Sequence, residues 1–122
     1  MIHEIRRHIN LARPFIRRTR PGSSPGLIHN DPDAAAPEIR VIQYGPESFD
    51  DQIVENPKGI TELLGKAPVT WVNVTGLGDA KTIQEVSGIF NLHALAIEDV
   101  VNVHQRAKVE SYEDHLFLVV RM

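Results

Sequence analysis

No cysteine occurs among the 122 residues, so neither disulfides nor thiolate metal sites are available to this chain. That is compatible with a reducing compartment. Long apolar runs are missing too: the longest is Leu116 to Val120, against the roughly 20 mostly apolar residues of a membrane helix. The first residues lack the apolar stretch of a secretory signal. Read by itself, the chain is expected to be soluble and not to cross a bilayer.

Signatures of catalysis are equally absent. Ser48, Ser87 and Ser111 stand in no nucleophile elbow, and the histidines are scattered at positions 3, 8, 29, 93, 104 and 115. No nucleophile, base and orienting acid are set out together, so an enzyme is not expected. Gly76-x-Gly78 follows a predicted strand and precedes a predicted helix, as a phosphate loop does. The third glycine of that fingerprint is replaced by Lys81, and no Walker lysine pattern exists. Those glycines read first as turn chemistry. His93 and His104 lie too far apart for a helical pair of zinc ligands.

What remains is an ordinary globular composition, 42% hydrophobic and 24% charged, with room for one domain and one modest core. The net charge of −3 conceals two halves. Residues 1–30 carry six arginines against Glu4 alone, a net +5, and the remaining 7 basic and 15 acidic residues leave −8. Residues 1–36, broken by Pro14, Pro21, Pro25 and Pro32, show no sustained periodicity. They read as a basic, disordered tail with a short helix near residues 2–12. Such a tail admits binding to RNA or anionic lipid, service as an organelle presequence, or no specific role.

From Pro37 the pattern becomes that of a folded domain. Glu38 to Tyr44 alternates polar and apolar residues and predicts a strand. Pro46 predicts the first turn of a helix through about Val54, Asn56-Pro57 a break, and Gly59 to Leu64 a short helix. Val69 to Thr75 predicts a second strand with Trp71 and Asn73 on one face, where a buried asparagine would need partners. Asp79 caps a helix from Ala80 to about Asn91, with Ile83, Val86 and Phe90 at helical spacing. A further helix from Ala94 to Asn102 carries Glu98 and Asp99, and Lys108–Tyr112 and Leu116–Arg121 form a hairpin. The expected class is α/β: a mixed parallel and antiparallel sheet flanked by helices. Leu116 to Val120 lacks alternation, as a strand covered on both faces does, so the sheet is expected to be incomplete at its C-terminal side.

Glu98 and Asp99 stand on an otherwise apolar helix. Successive helical residues diverge by about 100°, so the two are expected to face different ways. Hard cations such as Mg²⁺ take oxygen ligands and keep several waters, which a weak site near these acids would satisfy. The plain alternative is a polar helix face.

The run Thr70-Trp71-Val72-Asn73-Val74 with Gly76, then Leu92-His93-Ala94-Leu95-Ala96-Ile97-Glu98-Asp99-Val100, then Asn102-Val103-His104-Gln105-Arg106-Ala107-Lys108-Val109-Glu110 and the apolar strand from His115 to Val120 resembles the N-terminal cytosolic domain of the CorA magnesium/cobalt transporter family. Ala94 and Ala107 stand where that family commonly has proline. The likeness is close from Val69 to Met122, and residues 37–66 agree in pattern only. The resemblance implies part of an α/β/α sandwich, residues 37–122 here, belonging to a homopentameric channel for Mg²⁺, with Co²⁺ and Ni²⁺ also passing in some members. It implies that Glu98 and Asp99 help bind a regulatory divalent cation at the cytoplasmic face of the membrane. The family's stalk helix, membrane helices and Gly-Met-Asn motif do not occur in these 122 residues, so the chain by itself is not expected to conduct ions. The alternatives are a zinc-transporting branch of the same superfamily and a stand-alone interaction module whose basic tail binds nucleic acid or lipid.

Overall fold

A computed structural model describes residues 24, 28, 33–102 and 105–121. The short helix expected near residues 2–12 lies outside the described residues, and so does His104. Eight elements follow in order: β1 (Glu38–Gly45), β2 (Ser48–Val54), α1 (Pro57–Leu63), β3 (Val69–Thr75), α2 (Ala80–Ile89), α3 (Ala94–Val101), β4 (Lys108–Ser111) and β5 (Leu116–Val119).

The strands form two sheets, one ordered β2-β1-β3 and one of β4 with β5. Helices flank them, so the class is α/β as expected. Every pairing is antiparallel among the described residues. The register sets Val41 of β1 against Gln52 on one side and Val72 on the other. Ile39, Val41 and Gln43 therefore point to one face, and all three are buried. Ile60 of α1 is fully buried with Ile39 and Val41, and Val72, Val74, Val86 and Phe90 pack around that cluster. Gln43 is a polar residue in this layer. Its amide nitrogen donates to the Leu63 carbonyl at 2.8 Å and to Thr70 Oγ1 at 3.0 Å, so its burial leaves no donor idle.

The helix expected from Pro46 to Val54 is a strand instead. Pro46 and Glu47 are the two-residue loop of a β1–β2 hairpin, with Gly45 paired to Ser48. Neither loop residue has a positive φ, whereas the usual two-residue hairpin turns require one and advertise it with glycine or asparagine. A proline that also suits a helix start was the stronger local signal. An exposed pair, Arg40 to Asp51 with Nε to Oδ1 at 2.7 Å, crosses the hairpin.

Asn56-Pro57 starts a helix where a break was expected. Asn56 Oδ1 accepts from Lys58 N at 3.1 Å and Pro57 occupies the first turn, where its missing N–H costs no intrahelical bond. After β3 the chain passes Gly76, at φ 97°, and Gly78. A Cβ on either would fall within 3 Å of the carbonyl oxygens of Ala34–Ala36, and Gly78 N donates to Ala35 O at 2.8 Å. This turn is filled by the chain's own backbone.

Asp79 caps α2 as expected, accepting from Lys81 N and Thr82 N. The helix ends with Asn91 at φ 50°; Leu92 N donates to Ser87 O and Asn91 N to Gly88 O, the paired bonds of a Schellman ending. That ending turns the chain into α3. Trp71 and Asn73 share a face as predicted, and that face is exposed, with Trp71 61% accessible and Phe49 and Ile53 of β2 exposed on the same side of the sheet. Asn73 needs no buried partner there; its amide donates to Thr75 Oγ1. In β5, Leu116 and Leu118 are exposed rather than covered on both faces.

Candidate functional site

His93 opens α3. Its Nδ1 accepts from Leu95 N at 3.2 Å, doing with an imidazole what serine or aspartate does at most helix starts. Ala96 and Ile97 are the buried residues of α3, which leaves Glu98 and Asp99 half-buried at the margin of the buried face. Both line one open pocket of about 600 Å³, together with Leu95, Glu110, Ser111 and Tyr112. Consecutive on the helix, the two still point in different directions, about 100° apart, and both border the same concavity.

The opposite wall is the β4–β5 hairpin, closed by Tyr112 N donating to His115 O at 2.9 Å. Alternation along β4 sends Val109 outward, while Lys108 and Glu110 share the other face. The Lys108 ammonium donates to Asp99 Oδ2 at 2.6 Å and to Glu110 Oε1 at 2.8 Å. It also lies 5.5 Å from the centroid of Phe117, whose ring face attracts a cation. Hydrogen bonding to Asp99 first, and to Glu110 second, raises the Lys108 pKa above its usual 10.5. At the rim, the Tyr112 ring stacks on His115, centroids 4.7 Å apart, and on His93 at 5.9 Å.

For a hydrated divalent ion the donor chemistry of this pocket is suitable. Glu98 and Asp99, two oxygen donors, line an open concavity, and a Mg²⁺-like ion keeps most of its waters in such a setting. Against that, Asp99 and Glu110 are already bonded to Lys108, and among the described residues no three His, Asp or Glu side chains are grouped as metal ligands. The residues brought together thus differ from those read in the sequence. Glu98 and Asp99 are legible as candidate donors; Lys108 and Glu110 read as strand residues within the family-like run, and Tyr112 as a strand residue, none of them with a role at a site. Their signal, an alternating Lys-Val-Glu strand nine residues beyond Asp99, acquires meaning only when the hairpin is placed against α3. His93, considered as a zinc ligand, has one ring nitrogen engaged in capping.

No protein-family model matches the chain. Over 85 residues, 70% of its length, it is 35% identical to the cobalt/magnesium transport protein CorA of Thermotoga maritima. The matched stretch is 24% of that protein, so the chain spans about a quarter of its relative's length. The segment from Val69 to Met122 is 54 residues long. An 85-residue match therefore reaches at least 31 residues further towards the N-terminus, into the part where only a pattern was legible.

Proposed function

We propose that this chain is a divalent-cation-sensing cytosolic domain of a CorA-like magnesium and cobalt transport protein, acting as part of a homopentamer at the cytoplasmic face of the membrane. The observation that carries this reading is the 35% identity to a cobalt/magnesium transport protein over 70% of the chain. No helix among the described residues is long and apolar enough to cross a membrane, so in this reading the conducting path is supplied by other segments. Glu98 and Asp99 are the oxygen donors offered to the sensed ion, at a pocket open on one side. The remaining ligands come from outside this chain, in keeping with a weak site. An ion can bias such a domain only by binding one conformation better than the other.

A chimera tests the reading. Residues 38–121 replace the matching segment of the Thermotoga protein, and Mg²⁺ uptake is followed in a bacterial strain that depends on an added transporter at low Mg²⁺. The expected outcome is uptake and growth rescue, with Asp99→Ala in the chimera weakening the dependence of transport on internal Mg²⁺. A chimera that folds and reaches the membrane but neither transports nor responds to Mg²⁺ overturns the proposal.

A further inference from the structure

Lys108 stands where a cation would stand at Asp99. Its nitrogen is 2.6 Å from one carboxylate and 2.8 Å from the next, and both side chains of the first pair are about three-quarters shielded, at 27% and 25% exposure. The pair also joins two elements that differ in how they are supported. α3 is anchored by Ala96 and Ile97, whereas β4 and β5 form a two-stranded sheet of their own, an arrangement that is marginal without outside contacts.

We propose that Lys108 is the resident cation of the Asp99 and Glu110 carboxylates, and that a divalent ion reaches Asp99 only by displacing it. The inference rests on the divalent-cation role proposed for Asp99. A dication beside Asp99 with the ammonium still in place would meet a like charge within a few ångströms, with only partial screening by water. Displacement frees Lys108 from α3 and with it one of the ties between α3 and the hairpin. Ion occupancy is thereby coupled to the seating of β4–β5, and the affinity of the chain is set low by its own side chain.

The test is a titration of the complete 122-residue chain with Mn²⁺, read by electron paramagnetic resonance of the free ion and competed with Mg²⁺. Wild type, K108M, K108R, D99N and the double variant K108M/D99N are compared. Wild type is expected to bind weakly, in the millimolar range, and K108M about tenfold more tightly, the scale of removing one partly screened charge at contact. K108R is expected to behave as wild type, and the double variant to lose the gain. K108Q, which keeps hydrogen bonding without the charge, serves in place of K108M should that variant fail to fold. Equal affinities for wild type and K108M, both still lowered by Asp99→Asn, overturn the role of Lys108 and leave the divalent site standing. No binding by either protein, or binding indifferent to Asp99, overturns the exchange proposed for Lys108, while the transport reading, whose remaining ligands lie outside the chain, is decided by the chimera.

Discussion

Asp79 shows how much one side chain settles locally. Its Oδ1 accepts from Lys81 N, and its Oδ2 accepts both the amide and the hydroxyl of Thr82, the latter at 2.6 Å. All three donors favour the ionised carboxylate, Thr82 hydroxyl most, so the group titrates below its usual 3.8. A carboxyl with a depressed folded pKa contributes stability above its unfolded value, and that contribution is lost as pH falls through the folded one. The thermal midpoint of wild type is therefore expected to fall below about pH 4, and Asp79→Asn to lower the neutral midpoint while making that acid fall shallower. Calorimetry of both proteins across the acid range checks it; parallel curves would remove the cap from the acid response. Lys108 has the opposite sign. Its folded pKa is raised, so its contribution is complete below 10.5 and is lost only as pH rises through the higher folded value. The cap was legible because an aspartate directly before an apolar helix needs no knowledge of the rest of the chain. The partners of Lys108 were not, because a strand and a helix had first to be brought together.

Among the elements, those with strong internal periodicity were read correctly. β1, β3 and α2 each carry their pattern in their own residues, and the structure places them within a residue or two of the expected limits. β2 failed because its sequence, Ser48-Phe-Asp-Asp-Gln-Ile-Val54, is exposed over all but its last residue and carries no alternation for burial to explain. It is a strand because the backbone of β1 pairs with it. α1 is short, seven residues, and isolated helices of that length are not stable in water. Its hold on the sheet is Ile60, which has no exposed surface. Ile60→Ala is expected to destabilise the chain by about 2–5 kcal/mol through lost burial and a residual cavity. Urea unfolding should show a lower midpoint at unchanged slope. A loss below about 1 kcal/mol, the ordinary range of surface changes, would mean that α1 is not seated as described.

For the whole molecule, the distribution of apolar surface matters more than its amount. The core occupies one side of the three-stranded sheet, and the other side presents Phe49, Ile53 and Trp71 to solvent. The small sheet does the same with Val109 and Leu118, which face each other across the β4–β5 ladder. Large apolar side chains left exposed on both sheets favour association with another apolar surface, although the Arg40–Asp51 pair interrupts the first of these faces. The double variant Trp71→Lys, Leu118→Lys is expected to sediment as a smaller species than wild type at equal concentration. Because both sites are more than half exposed, at 61% and 56%, its unfolding midpoint should change little. Identical sedimentation of the two proteins would show that these faces do not associate.

The α/β class, the Asp79 cap, most element limits and the likeness to a magnesium and cobalt transport family were legible in the sequence, because each is written in neighbouring residues or in an ordered run of short motifs. Only the tertiary structure decided that residues 48–54 pair as a strand, that Glu98 and Asp99 border one pocket, and that Lys108 already fills the place beside Asp99. The physical reason is the same in all three cases. Backbone pairing between strands, the width of a concavity and the partner of a charge depend on which distant elements meet, and local periodicity carries no record of that meeting.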